Sequence, residues 1–146
     1  MNSMDSKPEG SVESAPEEAL PTTIKDKWQG AVTQGSGFVA IPVALLRLQT
    51  KYGLTPTEML VLINLLAHWW DPTRAVFPRS TTIATRMGVD TRTVQRATSK
   101  MEKSGLITRG MDSHGRRVFS FEGLVAQLAR DVPVAYAAQA RETYGT

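Results

Sequence analysis

The stretch that decides the fold of this chain is residues 79–105, RSTTIATRMGVDTRTVQRATSKMEKSG. It predicts a shorter helix over residues 80–87 and a longer helix over residues 91–104. Gly88, between them, tolerates the left-handed backbone that a tight turn requires. Asp90 is a favourable N-cap for the second helix, because its side chain can accept hydrogen bonds from first-turn N–H groups. We therefore expect two helices packed across a short turn.

The spacing of three residues in this stretch supports that packing. Counted from Arg79, a small residue stands five positions on, a glycine nine and a β-branched residue fifteen: Ala84, Gly88 and Val94. A small side chain lets the two helices approach, and a stiff β-branched side chain fills the opposing position. The remaining inward positions are apolar: Ile83, Met87, Val89, Ala97 and Met101.

The most apolar helix is predicted upstream, from Pro56 to about Trp69. Thr55 is its N-cap, Pro56 occupies the first helical position, and Glu58 can reach back to complete a capping box. The segment is apolar nearly all round. A helix of this kind is buried, so we expect it at the centre of the core.

Shorter elements are predicted on either side of these helices, from apolar alternation and from the positions of Gly and Pro. They are a short strand or extended segment over 38–41, a helix over 43–51, hairpin strands over 106–109 and 117–121, and a closing helix over 122–130. Pro133 is expected to separate the closing helix from a C-terminal extension over residues 132–146.

Residues 38–130 resemble a winged helix-turn-helix domain of the type found in bacterial, phage and plasmid regulators and replication proteins. The resemblance rests on Phe77-Pro78, Ile83-Ala84, Met87-Gly88-Val89, Thr91–Ala97 and Lys103–Ile107. It implies a mainly α fold (α+β) with a small β-hairpin wing, here placed in residues 36–131, and it implies DNA binding. Such domains often have a serine cap where this chain has Arg79, so we expect Ser80 to cap the helix one residue later.

Basic residues are concentrated in the same region. Residues 74–117 hold ten Arg or Lys against three acidic residues, a net charge of +7, whereas residues 1–27 hold six acidic residues against three lysines. This asymmetry favours an anionic partner such as nucleic acid. Like charges also stack along one side of the second helix, at Arg92, Arg96 and Lys100, with only Glu102 nearby to relieve them. A bound anion would neutralise this stripe.

Groove dimensions assign candidate roles, since the N-terminal half of a recognition helix reaches base edges in the major groove of double-stranded DNA. The base-reading candidates are Thr91, Arg92, Gln95 and Arg96. The phosphate-contact candidates are Arg79, Ser80, Thr81, Thr93, Ser99, Lys100 and Lys103. The wing candidates are Arg109, His114, Arg116 and Arg117, which can lie on the backbone or enter an adjacent minor groove.

Other classes of function are disfavoured. His68 and His114 have no carboxylate or nucleophile nearby in sequence, the chain has no cysteine, and no phosphate-binding glycine loop or metal-ligand spacing occurs. We therefore expect no catalysis, no cofactor, no metal site and no small-molecule effector. Met59–Trp70 is too short for a membrane span, which needs roughly 20 apolar residues. With no secretory signal evident, we expect a cytoplasmic, nucleoid-associated protein encoded by a bacterium, phage or plasmid.

The two ends of the chain carry separate expectations. Residues 1–35 are Pro-, Gly- and Ser-containing and acidic, which predicts a disordered tail. Within it, Trp28 either docks on the domain, the alternative we favour, or marks a partner-binding segment. After the wing, apolar residues recur at four-residue steps and form a candidate homodimer surface: Leu124, Leu128, Tyr136, Ala140 and Tyr144. Equally, the two leucines could simply close the core of the monomer.

Three biological roles remain open from the sequence. A chain with room for one domain favours a transcriptional regulator, for example a dimeric repressor on an inverted repeat. The alternatives are a plasmid or phage replication initiator or accessory protein, and a winged helix used for protein–protein interaction.

Overall fold

A computed structural model describes residues 22–30, 37–69 and 78–143 of the chain. Within these ranges the chain forms six α-helices and one β-hairpin. The helices are α1 (Thr22–Trp28), α2 (Val43–Leu48), α3 (Pro56–Leu66), α4 (Ser80–Met87), α5 (Thr91–Lys103) and α6 (Glu122–Thr143). The hairpin pairs β1 (Thr108–Met111) with β2 (Arg117–Ser120), antiparallel. This is the predicted mainly helical fold with a small wing.

Helix α3 lies at the centre of the core, and it begins as its sequence predicts. The Thr55 hydroxyl accepts a hydrogen bond from the Glu58 backbone N–H at 3.2 Å, and the Glu58 carboxylate accepts one from the Thr55 N–H at 2.9 Å. The helix packs against both α4 and α5. It ends at Leu66, earlier than predicted, where the Trp69 N–H donates to the Leu66 carbonyl in a tight turn. The Trp69 ring then packs on Phe121, with ring centroids 5.2 Å apart.

The α4–α5 pair has the predicted geometry. Gly88 adopts a left-handed backbone with φ of +69°, and the Val89 N–H donates to the Ala84 carbonyl at 3.1 Å. Ala84 and Val94 are both buried. Thr98 is buried as well, which the apolar pattern does not indicate; its hydroxyl donates to a backbone carbonyl of α5, so burial leaves no unsatisfied polar group.

The wing is a two-stranded hairpin whose first strand begins later than predicted. Leu106 and Ile107 are not in the strand, because their backbone N–H groups donate to the Met101 carbonyl at the end of α5 and their side chains are buried. The segment over residues 38–41, predicted as a short strand or an extended segment, has no strand pairing. Within the described ranges, no third strand therefore supports the hairpin.

The closing helix is longer than predicted. The sequence predicts a break at Pro133, but α6 continues through it to Thr143. A proline inside a helix lacks an N–H donor and leaves the carbonyl four residues earlier without its usual partner. Here that carbonyl belongs to Ala129, and both residues are exposed, so water can satisfy it. The predicted boundary between residues 131 and 132 therefore falls inside a continuous helix.

A polar contact ties the middle of α6 to the chain that follows α2. The Tyr52 hydroxyl donates to the Asp131 carboxylate at 2.9 Å, and the Lys51 ammonium lies 3.2 Å from it. Burial, and then the hydrogen bond to Asp131, raises the pKa of Tyr52 to about 12. The contact holds the helix in place just before Pro133.

Two of the candidate dimer residues belong to the core of the monomer. Leu124 is buried in the core of the monomer and Leu128 packs against that core, which is the alternative that the sequence left open. The side chains of Tyr136 and Ala140, and the whole of Tyr144, lie outside the described part of the chain.

Most of the predicted N-terminal tail also lies outside the described residues. Inside it, residues 22–28 form helix α1, which the sequence does not predict; two lysines in its last turn interact favourably with the helix dipole. Trp28 is 63% exposed. The favoured docking of Trp28 on the domain is therefore wrong.

Helix α6 meets the start of the wing at a close backbone contact beside Gly123. The Leu124 N–H donates to the Leu106 carbonyl at 3.0 Å. A Cβ atom at position 123 would overlap the carbonyl oxygen of Gly105. Because the obstacle is backbone rather than a movable side chain, glycine is required here by proximity.

We expect Gly123→Ala to lower the free energy of unfolding by about 1–3 kcal/mol, the usual cost of overpacking. Helix propensity alone predicts the opposite sign, since alanine is favoured over glycine in a helix. Gly110→Ala in β1 is the matched control, because its Cβ would meet only the Val118 methyl at 4.0 Å. Urea unfolding of both variants checks this; equal stability for the two would contradict the close contact.

Candidate nucleic-acid interface

The outer face of α5 carries the residues that the sequence assigns to DNA. The inner face is buried by Val94, Ala97, Thr98 and Met101, which leaves the opposite side to solvent. On that side is a shallow groove of about 430 Å³, lined by Arg92, Gln95, Arg96, Ser99, Lys100 and Lys103. The structure thus brings together six of the predicted residues on one surface.

The start of α5 is held by Asp90, as predicted. The Asp90 carboxylate accepts hydrogen bonds from the Thr93 N–H at 2.8 Å and from the Thr93 hydroxyl at 2.7 Å. These bonds, the one from the hydroxyl first, hold the pKa of Asp90 below its ordinary value. The Thr93 hydroxyl, a candidate phosphate contact, therefore has a partner within the protein.

Lys100 also has partners within the protein. Its ammonium group donates to the Glu58 carboxylate and to the Gly53 carbonyl, both at 2.9 Å. Burial raises the pKa of Glu58, but its hydrogen bonds with Thr55 and Lys100 outweigh this and hold the pKa below its ordinary value. Lys100 thus joins the recognition helix to the start of α3.

Arg109 and Glu102 form a second ion pair, between the wing and α5. The Arg109 Nε and one terminal nitrogen lie 3.0 and 2.9 Å from the same Glu102 oxygen, and that terminal nitrogen also donates to the Ser99 hydroxyl at 3.1 Å. The Arg109 side chain is only 23% exposed. Glu102, the acidic residue nearest the basic stripe in sequence, therefore pairs with a residue of the wing.

The wing turn is organised around Asp112. Its carboxylate accepts hydrogen bonds from the backbone N–H groups of His114 and Arg116 and pairs with the Arg116 guanidinium at 2.7 Å. The backbone bond from Arg116 is the largest cause that lowers the pKa of Asp112 from its ordinary value. His114 and Arg117 are exposed beside this turn.

The start of α4 differs from the prediction. Arg79 is the N-cap residue and makes no side-chain cap hydrogen bond, and Ser80 is the first helical residue. The expected cap by Ser80 is therefore wrong, because a side chain inside the helix points away from the first-turn N–H groups that a cap must reach. Arg79 and Thr81 are exposed at this end, and Ser80 is half-buried.

These contacts divide the predicted basic surface into engaged and available side chains. Among the described residues, four side chains on the outer face of α5 have no hydrogen-bond or ion-pair partner: Arg92, Gln95, Arg96 and Lys103. The Arg117 side chain on β2 likewise has no hydrogen-bond or ion-pair partner among the described residues. Three of the four predicted base-reading residues are in this set, and the fourth, Thr91, is half-buried at the start of the helix.

Two residues that were not predicted to lie at this surface belong to it. Glu58 enters it through Lys100, a contact between residues 42 positions apart that no local pattern could reveal. Met111, opposite Arg117 in the hairpin register, is 70% exposed. Met111 could have been recognised from the sequence as an apolar residue in a short strand, at a position that faces outward.

Among the described residues, no group of three or more acidic, histidine or cysteine side chains is arranged to hold a metal ion. No helix formed by those residues is long and apolar enough to cross a membrane.

The fold and the surface together define the class of the protein. Helix α4, the turn at Gly88 and helix α5 form a helix-turn-helix, and the hairpin that follows α5 is a wing. The described residues therefore form a winged helix-turn-helix domain. The sequence model of the family described as "Helix-turn-helix domain" matches residues 52–107, which run from the end of α2 to the approach to the wing.

One solved structure supports this fold. The N-terminal domain of the DnaD protein from Geobacillus kaustophilus is similar with a TM-score of 0.55 and 19% identity, over 84% of this chain and 99% of that one. The YusO protein from Bacillus subtilis is similar with a TM-score of 0.41 and 20% identity, over 90% of this chain and 99% of that one. At these identities the likeness shows the fold alone, and only the first is close enough to support it. No curated protein sequence matches the chain.

We expect Lys100→Ala to lower the free energy of unfolding by about 0.5–1 kcal/mol, the upper part of the range for a partly exposed ion pair. The loss comes from the contacts with Glu58 and Gly53. Lys103→Ala is the matched control, since Lys103 lies on the same helix face without such a partner. Chemical unfolding without DNA measures both; because alanine is a better helix former than lysine, a control as destabilised as Lys100→Ala would show that loss of any lysine side chain from this face, not loss of the contact with Glu58, is responsible.

Proposed function

We propose that this chain binds double-stranded DNA sequence-specifically, with α5 in the major groove and the hairpin as a wing on the adjacent backbone or minor groove. One observation carries the proposal. The outer face of the second helix of a helix-turn-helix keeps Arg92, Gln95 and Arg96 exposed and unpaired among the described residues, although acidic groups satisfy other basic residues around them.

The chemistry of the available side chains fits base edges. An arginine guanidinium can donate to guanine O6 and N7 together, and a glutamine amide can bond adenine N6 and N7. We assign Thr91, Arg92, Gln95 and Arg96 to base reading on this ground. Lys103, toward the end of the helix, carries a flexible point charge suited to a phosphate.

The candidate phosphate contacts differ in whether their side chains already have a partner within the protein. Arg79, Ser80 and Thr81 lie at the start of α4, where uncapped backbone N–H groups add favourable positive potential. Thr93, Ser99 and Lys100 each hold a partner within the protein, so binding a phosphate would require them to share or exchange it. We therefore expect Lys103 and the start of α4 to contribute more.

At the wing, Arg117 is the proposed DNA contact, with His114 and Arg116 beside it at the turn. Arginine is electrostatically favoured in a narrow minor groove. Met111 lies opposite Arg117 and could add an apolar contact to the sugar edge, as exposed apolar residues do in minor-groove binding. Arg109, held by Glu102, is the least available of the predicted wing residues.

A transcriptional regulator remains the favoured role, with a replication initiator or accessory protein as the alternative. Selection of bound sequences from random double-stranded DNA separates them. An inverted repeat supports a dimeric regulator, whereas tandem direct repeats support an initiator-like role. No enrichment of any sequence would overturn specific DNA binding and favour a winged helix that binds protein.

We further propose that the chain forms a homodimer through the exposed side of α6. Because Leu124 and Leu128 serve the core of the monomer, we place the surface instead around Val134 of α6, which is 65% exposed. An exposed apolar helix side is a common component of subunit interfaces. A two-fold dimer would place two recognition helices on one DNA site.

We expect Arg96→Ala to cost about 1–3 kcal/mol of binding free energy on the preferred sequence and to relax the preference at one base position. Lys103→Ala is the matched control: it should weaken all sequences alike and reduce the salt slope by about one. Fluorescence anisotropy on specific and scrambled duplexes, over a range of salt concentrations, measures both. Small, equal and sequence-independent losses for the two variants would contradict a major-groove position for α5.

We expect Val134→Glu to convert the dimer to a monomer, because a buried unpaired carboxylate is costly at an apolar interface. Met111→Glu places the same charge on an exposed apolar residue of the wing and should leave the assembly unchanged. Sedimentation velocity without DNA measures both variants and the unaltered chain. A monomeric unaltered chain, or a dimer that survives Val134→Glu, would contradict this surface.

A further inference from the structure

The sheet of the wing consists of only two strands in the described part of the chain, and no third strand pairs with them. A two-stranded hairpin is marginally stable by itself. Its orientation must therefore be fixed by contacts at its base, where it leaves the core.

Two contacts meet at the base of the hairpin, at one position of its register. Phe119 on β2 is buried in the core, and Arg109 stands directly opposite it on β1. Arg109 reaches α5 through its hydrogen bonds with Glu102 and Ser99. We call Arg109, Glu102 and Ser99 the wing-base cluster. Phe119 holds one strand to the core, and the cluster holds the other strand to the recognition helix.

A small rotation at the base of the hairpin produces a larger displacement at its tip. From Arg109 to the turn at Asp112 is three residues, or roughly 10 Å at about 3.3 Å per residue. A rotation of the hairpin about its base thus moves Arg117 and the turn relative to α5. A guanidinium that contacts two groups on α5 through directional hydrogen bonds restricts such rotation better than a single point charge.

We propose that Arg109 is a positioning residue, which, through Glu102 and Ser99, fixes the wing relative to the recognition helix and so allows Arg117 to contact DNA. It acts through these partners, rather than by touching DNA. The inference rests on the proposed DNA binding and deepens it, since it assigns the spacing between the two DNA-contacting elements to one cluster of side chains.

Removing the charge of Glu102 should change DNA affinity in opposite directions, depending on whether the wing-base cluster positions the wing. If the cluster has no positioning role, Glu102→Gln removes a negative charge beside the DNA-binding face and should strengthen binding, with or without Arg117. If the cluster positions the wing, the same change weakens the hold on Arg109, and binding falls because Arg117 loses its place. The loss should then disappear when Arg117 is already absent.

The experiment is a double-mutant cycle with the unaltered chain, Glu102→Gln, Arg117→Ala and the double variant. The probe is the duplex recovered by selection from random DNA, and the measurement is affinity by fluorescence anisotropy. We expect Glu102→Gln to weaken binding by roughly 3- to 10-fold in the unaltered chain and by less than about twofold with Arg117→Ala, as for residues that act in one network. Glu122→Gln, at the start of α6, is the control for net charge.

A second measurement without DNA keeps the two proposals separable. The amide NMR shifts of residues 108–120 should change in Glu102→Gln and return toward those of the unaltered chain in the swapped pair Glu102→Arg with Arg109→Glu. Stronger binding in both backgrounds, or wing shifts that do not respond, would overturn the positioning role. If the unaltered chain recovers no duplex, the proposed function fails, whereas the shifts still report on the wing-base cluster.

Discussion

The rest of the structure depends on the close approach of α4 and α5 across the turn at Gly88. The left-handed backbone of Gly88 lets Ala84 and Val94 pack together in the core, and α3 covers both helices from behind. Once the inner face of α5 is buried, the 3.6-residue period of the helix dictates which side chains face solvent. The outward basic surface of α5 is therefore a consequence of core packing.

Acidic residues then decide which groups on that surface remain available. Asp90, Glu58, Glu102 and Asp112 each hold one of the predicted contact residues in place, respectively Thr93, Lys100, Arg109 and Arg116. Arg92, Gln95 and Arg96 have no such partner among the described residues. Each pairing restricts the helix or the wing, so that a smaller set of side chains is presented from a more rigid frame. The repulsion between the neighbouring arginines remains, and an anionic ligand would relieve it.

The errors of prediction from the sequence have separate physical causes. The break expected at Pro133 fails because the carbonyl that proline leaves unpaired lies on an exposed side of α6. The cap expected from Ser80 fails because the helix begins at that residue. Trp28 was expected to dock by its apolar character, but it lies in a helix with its ring exposed. In each case the prediction applied a general preference of the residue type, and the position of the residue in the folded chain decided the outcome.

Four features follow from the order of the residues alone: the two packed helices, the capping box of α3, the Asp90 cap and the outward set on α5. These rest on interactions between residues three or four positions apart and on helical periodicity, both of which are visible in a string of residues. Only the tertiary structure decided that Lys100 pairs with Glu58 and that Gly123 must be glycine beside Gly105. It likewise joined Arg109 to Ser99 and Glu102. Such contacts depend on the relative placement of whole elements, which only the packing of the core fixes.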